Sequence, residues 1–186
     1  MNAMTTRRAR TGLTLVELLT AIFLMAILAA IVMPAVYSRI SDAQTRSKAS
    51  TLSMLAQAVM TYHDHVGMWP DSLVRLNIAP TRTNKNICAN AMAAKDTARW
   101  AGPYVSVSVP ATGLVIGTDT IRAILTDVTS TTPNLLQIKL QYPSSDTRTN
   151  IQTILDTDTD TAAGIIRWTG TDPLMTLTYN VPITGC

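Results

Sequence analysis

The most apolar stretch of the chain runs from Leu13 to Ala35 and reads LTLVELLTAIFLMAILAAIVMPA. Its 23 residues include one charged side chain, that of Glu17. A helix needs about 20 mostly apolar residues to cross the hydrocarbon core of a bilayer. Residues 13–36 are therefore predicted to form a membrane-spanning helix that is apolar on all sides.

Polar residues return after this run, but no strong helix breaker appears before Gly67. Apolar residues at Leu52, Leu55 and Val59 follow the i, i+3, i+7 spacing of an amphipathic helix. Residues 37–66 are therefore predicted to continue the same helix and to pack on a folded domain. Gly67 is predicted to end it as a C-cap.

The remaining residues, 67–186, alternate between apolar and polar positions in several short runs. Alternation of this kind predicts an antiparallel sheet with one covered face, and the long helix is the expected cover. The fold class is therefore α+β. A short helix capped near Ser144 is also predicted. The strand predictions are Tyr104–Val109, Leu114–Ile116, Leu136–Tyr142, Ile165–Trp168 and Met175–Val181.

The basic residues are unevenly distributed along the chain. The chain has 15 Lys and Arg against 12 Asp and Glu, and the excess is the leader's Arg7, Arg8 and Arg10. This basic flank predicts that the N-terminus stays in the cytoplasm and that the rest is exported. Because the chain is neutral after residue 12, no nucleic-acid partner is expected.

Two residues in the apolar run are unusual. Glu17 is costly in lipid, so it indicates either a function or a side chain that reaches the interface or is protonated. A compact cation from another chain, such as an α-amino group, is a suitable partner. Pro34 removes a backbone donor and is predicted to kink the helix, although prolines are also tolerated in membrane helices.

The arginine-rich leader, Thr11-Gly12, the segment LTLVELL and the unbroken apolar run together resemble the signal of type IV prepilins. That family comprises type IV pilins and the pseudopilins of type II secretion and competence systems. The resemblance implies that a prepilin peptidase removes residues 1–12 by cutting after Gly12, and that Leu13 is N-methylated. It also implies that residues 13–36 form a filament core in which Glu17 neutralises the amino group of a neighbouring subunit.

On this resemblance the chain is predicted to be a structural subunit of a pilus-like filament and not an enzyme. Its expected partners are other pilins, the prepilin peptidase, an inner-membrane assembly platform and, before assembly, lipid. The expected location is the bacterial inner membrane with one span, and then a surface pilus or a periplasmic pseudopilus.

Three alternatives remain open. The segments Gly67-Met68-Trp69-Pro70 and Arg99–Tyr104 are similar to pseudopilin segments, which favours a type II secretion pseudopilin. A cleaved secretory signal peptide fits less well, because the run is long and no Ala-x-Ala triplet directly follows it. A more distant alternative is an uncleaved, signal-anchored binding protein or enzyme, although no catalytic motif is present.

Two further sets of residues carry possible chemistry in the exported part. Cys88 and Cys186 would form a disulfide in an oxidising compartment, as many pilins do, or remain free thiols. Asp156, Asp158 and Asp160 have the spacing that begins an EF-hand calcium loop, but Thr161 and Arg167 stand where that loop needs Gly and Glu. Apart from calcium in a looser loop, no cofactor is predicted. The other interpretation of the three carboxylates is a polar surface loop.

Overall fold

The computed structural model describes residues 14–128, 134–141, 143–156, 160, 163–170 and 175–184. The residues cluster into two units, Met1–Asp42 and Ala43–Cys186. Helix α1, Leu15–Val66, contributes residues to both units.

Helix α1 begins and ends at residues that satisfy its free backbone groups. The Thr14 hydroxyl accepts a hydrogen bond from the Glu17 N–H at 3.2 Å, so Thr14 caps the first turn. At the other end the Gly67 N–H donates to the His63 carbonyl at 2.7 Å. Gly67 has a φ of +79°, a conformation that glycine adopts without steric cost. The predicted C-cap is confirmed.

The described strands form one antiparallel sheet in the order β1-β2-β4-β6-β5, and β3 also pairs with β4. The predicted α+β class, with a long N-terminal helix followed by an antiparallel sheet, is therefore confirmed. The strands are β1 Leu114–Ile116, β2 Asp119–Ile121, β3 Thr126–Val128, β4 Asn134–Gln141, β5 Ile166–Thr169 and β6 Thr176–Ile183.

Strands β2 and β3 lie one after the other along the same edge of β4. Ile121 pairs with Leu140, and Thr126 pairs with Gln137, so four residues between β2 and β3 face only two in β4. The surplus residues bond elsewhere, since the Ala123 carbonyl accepts from the Leu73 N–H at 2.8 Å. Strands β2 and β3 therefore form in a segment where the sequence shows no regular alternation of apolar and polar residues.

Three further helical segments follow α1 within the described residues. Leu73–Leu76 is a 3-10 turn whose Ser72 hydroxyl accepts from the Val74 N–H, and α2 spans Ala94–Ala98. Helix α3 spans Ser145–Leu155, and the Ser144 hydroxyl accepts from the Thr147 N–H at 3.3 Å. The predicted capped helix near Ser144 is confirmed.

The predicted strand Tyr104–Val109 is wrong, because this segment pairs with no strand in the described chain. The side chain of Asn77 takes the place of a partner strand. Its amide donates to the carbonyls of Val105 and Val107 at 3.2 and 3.0 Å, and its oxygen accepts from the Val109 N–H at 3.0 Å. The alternation in sequence does correspond to alternating burial, since Val105 and Val109 are buried and the serines are exposed.

The second unit has one hydrophobic core between the inner face of the sheet and the C-terminal part of α1. Every second residue of β4, namely Leu136, Ile138 and Leu140, is fully buried. The facing residues of α1 repeat every three or four positions, which is the period of one helix face. These α1 residues are Ala49, Leu52, Leu55, Ala56, Val59, Tyr62 and Val66.

Candidate functional site

Glu17 lies in the first turn of α1, where its carboxylate has no partner in the described part of the chain. Its backbone N–H is bonded to Thr14, but no hydrogen bond or ion pair of its side chain is found within the described ranges. The first turn of a helix carries partial positive charge, which favours a carboxylate there. A full cationic partner for Glu17 must therefore come from outside the described part of the chain.

The helix around Glu17 exposes a continuous apolar surface. Leu15 and Val16 are 79% and 69% exposed, and the following turns of the helix are similarly exposed. In the described part of the chain, α1 is the one helix long and apolar enough to cross a membrane. An apolar surface of this size requires lipid or protein to cover it.

Pro34 lies inside α1, as predicted. Its ring carries no N–H, so it cannot donate to the carbonyl one turn earlier. The Ser38 hydroxyl donates to the Ala35 carbonyl at 3.0 Å in the next turn. The bending of the helix at Pro34 stays a prediction. The processing residues Gly12 and Leu13 lie outside the described residues, so cleavage and methylation also stay predictions.

Trp69 links the end of α1 to both cysteine-bearing regions. Its indole N–H donates to the Thr184 carbonyl at 2.9 Å, and its own carbonyl accepts from the Ile87 N–H at 3.3 Å. Cys88 follows Ile87 directly and takes part in a disulfide. Cys186 is the other cysteine of the sequence and lies outside the described residues. Its pairing with Cys88 stays a prediction that the Trp69 contacts support.

His63 stacks on Trp69 with ring centroids 3.9 Å apart and an interplanar angle of 14°. The His63 ring is therefore packed against an aromatic side chain. His65 lies beside Tyr104, with its Nδ1 3.3 Å from the tyrosine oxygen. Sequence analysis missed these contacts because they depend on where the turn after Gly67 sends the chain.

The segment Arg99–Tyr104 folds around its own aromatic rings. The Trp100 indole donates to the Arg75 carbonyl at 3.0 Å, and the Tyr104 oxygen accepts from the Ala101 N–H at 3.0 Å. A Cβ at Gly102 would lie 2.5 Å from the Trp100 ring, so any larger residue at this position requires the ring to move. Gly102-Pro103 is a cis peptide. Trp100, Gly102 and Tyr104 therefore pack together in this segment.

The predicted calcium residues are only partly described, because Asp158 lies outside the described ranges. Asp156 Oδ2 accepts hydrogen bonds from the N–H groups of Ile165 and Ile166 at 2.6 and 3.1 Å. The Asp160 carbonyl accepts from Gln152 Nε2 at 2.9 Å. One Asp156 oxygen is therefore engaged in fixing the entry to β5. No cluster of three metal-ligating side chains occurs among the described residues, and calcium binding stays a prediction.

A buried ion pair joins α1 to β2 in the second unit. Lys48 Nζ lies 2.8 Å from Asp119 Oδ2, and both side chains are more than 90% buried. Sequence analysis missed it, although Lys48 precedes Leu52 and Leu55 on the same helix face and so occupies a core position. A charged residue within an apolar stripe is the signal that could have found it.

Burial also changes the acidity of two tyrosines. Desolvation, with a smaller contribution from the Asp71 carboxylate, raises the pKa of Tyr62 far above its ordinary value. Desolvation likewise raises the pKa of Tyr179, with Asp156 adding to the effect. Both side chains favour the neutral form because the interior disfavours the phenolate.

The comparison with protein families gives one match, at residues 7–33, to the family described as "Prokaryotic N-terminal methylation motif". No curated protein and no solved structure is significantly similar to the chain. The matched residues cover the basic leader, the Glu17 turn and most of the exposed apolar part of α1. This is a membrane-anchored protein whose N-terminal signal is that of type IV pilins and pseudopilins, placed on a pilin-like α+β fold.

Proposed function

We propose that the chain is a structural subunit of a type IV pilus-like filament, held in the inner membrane as a prepilin before assembly. The observation that carries this proposal is the Glu17 carboxylate, which has no partner among the described residues and lies at the start of an exposed apolar helix. That helix bears the methylation motif, which points to structural filament subunits and not to enzymes. Burying such a helix among copies of itself removes its apolar surface from lipid.

Processing prepares the subunit for this packing. A prepilin peptidase cuts after Gly12 on the cytoplasmic side, where Arg7, Arg8 and Arg10 hold the leader. Leu13 becomes the new N-terminus and is methylated. Removal of the leader takes away three positive charges, so the basic excess of the precursor disappears. An inner-membrane assembly platform then moves the processed subunit from lipid into the filament.

Electrostatics supplies the register of the filament. An unpaired carboxylate in an apolar medium costs several kcal/mol, so it must be neutralised or paired. We assign Glu17 as the partner of the Leu13 amino group in a neighbouring subunit. Any other axial offset between subunits leaves two unpaired charges, and this penalty selects one arrangement.

A second candidate is a pseudopilin of a type II secretion system. The specific observation that favours it is the packing of the Trp69 and Trp100 segments, which resemble pseudopilin segments, around the C-terminal end of α1. Tyr104 contacts both Tyr62 and Trp100, with ring centroids 5.6 and 5.9 Å apart. Long surface fibres made of this chain favour the pilus, and a purely periplasmic location favours the pseudopilus.

The test compares Glu17→Gln with Asp42→Asn, the other acidic residue of the first unit. Glu17→Gln keeps the volume of the side chain but removes its charge. We expect both variants to enter the membrane and to lose residues 1–12, as judged by intact mass. Filament yield in sheared fractions should fall at least tenfold for Glu17→Gln and stay unchanged for Asp42→Asn. Normal filaments from Glu17→Gln would overturn the pairing, and an uncut wild-type mass would overturn the prepilin assignment.

A further inference from the structure

Three basic side chains lie in a row on the face of the sheet opposite the core. Lys139 of β4 pairs with Thr178 of β6, and Thr178 pairs with Arg167 of β5. On the other side of β4, the Arg122 N–H donates to the Lys139 carbonyl at 2.9 Å. Neighbouring strands are about 4.8 Å apart, so the row crosses four chain segments over about 15 Å.

These side chains line a concavity of about 320 Å³. The other lining residues are Gln137, Thr169, Thr176 and Thr178, which offer hydroxyl and amide groups. No carboxylate occurs among the described lining residues. We name this concavity, with Arg122, Lys139 and Arg167, the basic groove.

The cations of the basic groove have no anionic partner in the described part of the chain. None of the three takes part in an ion pair there. Arg167 Nε is buried and donates no hydrogen bond. A buried donor without an acceptor costs about 1–3 kcal/mol, and like charges on neighbouring strands are also unfavourable. An anion in the groove would relieve both penalties.

The basic groove is a product of folding and not of composition. Beyond residue 12 the sequence has 12 basic and 12 acidic residues, so the linear sequence predicts no basic surface. Arg122, Lys139 and Arg167 are far apart in sequence and meet only because β4 and β6 bring their segments together. The expectation of no nucleic-acid partner follows from the linear charge distribution, which does not reveal this arrangement.

We propose that the basic groove binds a phosphate group. Arginine presents planar paired donors that match phosphate oxygens, and lysine adds a point charge. The threonine hydroxyls can donate to the remaining oxygens. The volume lies at the lower end of the range for small-ligand sites and suits a phosphate with one attached group. Because no aromatic side chain occurs among the described lining residues, these residues offer no surface for base stacking, and recognition rests on the phosphate.

The test uses the full mature chain in a neutral detergent, with inorganic pyrophosphate as the probe in titration calorimetry. We expect saturable binding that weakens as salt is added. Arg167→Gln and Lys139→Gln should each lower the affinity at least tenfold, whereas Arg82→Gln, which removes an exposed arginine elsewhere, should not change it. Arg167→Lys keeps the charge but loses the paired donors, so an intermediate affinity is expected. Thermal unfolding of each variant checks that the fold is intact.

Two further probes distinguish the source of the phosphate. Much tighter binding of an oligothymidylate than of pyrophosphate, with a steep salt dependence, identifies a phosphodiester polymer. Equal affinity for the two probes identifies an isolated phosphate group. The proposal fails if neither probe binds, or if Arg82→Gln weakens binding as much as Arg167→Gln does. It also fails if an aspartate-rich peptide binds and pyrophosphate does not, because the groove would then recognise carboxylates.

Discussion

Lys48 Nζ and Asp119 Oδ2 lie 2.8 Å apart, which ties α1 to strand β2. Asp119 Oδ1 also accepts from the Thr118 hydroxyl at 2.9 Å, whereas Oδ2 has no hydrogen-bond donor among the described residues. The Lys48 contact is therefore an ion pair at close distance without the direction of a hydrogen bond. The ammonium group is what compensates the buried charge of Asp119.

Removing one member of the Lys48–Asp119 pair should lower the free energy of unfolding far more than removing both members. We expect Lys48→Met to lower the free energy of unfolding by about 3–5 kcal/mol, because Asp119 is left charged and buried. The double variant Lys48→Met with Asp119→Leu should regain most of that loss. Denaturant unfolding measures both values. The control is the partly exposed Asp71–Arg75 pair, for which Arg75→Met should cost less than about 1 kcal/mol. Equal losses for the single and double variants would contradict this account.

Asn77 should be important for the segment that it holds in place of a strand partner. Asn77→Ala removes three hydrogen bonds to the backbone of residues 105–109. At about 1 kcal/mol each, the expected loss of unfolding free energy is about 3 kcal/mol. Hydrogen exchange of the Val109 amide should accelerate more than that of amides in β4. Asn84→Ala, in an exposed turn, serves as the comparison, and unchanged exchange at Val109 would refute the role of Asn77.

The buried Tyr62 predicts a specific response to alkaline pH. Its pKa in the folded protein lies well above its ordinary value of 10.0, so the unfolded state releases this proton first. The unfolded state then binds fewer protons, and stability must fall as pH rises above about 10. Tyr62→Phe should reduce this fall by up to about 1.4 kcal/mol per pH unit. Tyr37→Phe, at an exposed site, should leave the slope unchanged, and an unchanged slope in Tyr62→Phe would contradict the prediction.

Asp156 should stabilise the domain whether or not calcium binds near it. Its Oδ2 accepts from two consecutive N–H groups at the start of β5, and bonds to a charged acceptor are worth about 1.5–3 kcal/mol each. Asp156→Ala should therefore lower the unfolding midpoint in EGTA as well as in calcium. Asp158→Asn separates the two roles, since it should alter the midpoint in calcium alone if the loop binds the ion. Full stability of Asp156→Ala in EGTA would disprove the structural role.

The parts of the fold that sequence predicts are those that follow a local rule. The Gly67 cap, the Ser144 cap and the long strands β4 and β6 depend on periodicity and on single residue types. Strands β2 and β3 do not follow from the sequence, because the surplus residues between them interrupt the alternation of apolar and polar positions. Tyr104–Val109 alternates in burial without belonging to the sheet, since the partner of its backbone is one distant side chain.

The candidate sites also divide into those that depend on neighbouring residues and those that depend on distant segments. The processing signal, which includes Glu17, can be predicted from the sequence because its residues are neighbours in the chain. The Lys48–Asp119 pair, the His63–Trp69 stack and the basic groove depend on the pairing of distant segments, which periodicity does not specify. Of these residues, Lys48 alone gives a signal in the sequence, because it is a charged residue on an otherwise apolar helix face.

The strand order has a consequence for the time at which this domain can form. Strand β6 lies between β4 and β5, and in the described sheet β5 pairs only with β6. A nascent chain that has not yet supplied residues 176–183 therefore has one open edge on β4 and no neighbour for β5. Open strand edges promote association with other chains, and long-range pairing of this kind is slow. The complete sheet can therefore form only after β6 is available, and until then the edge of β4 stays open to pairing with other chains.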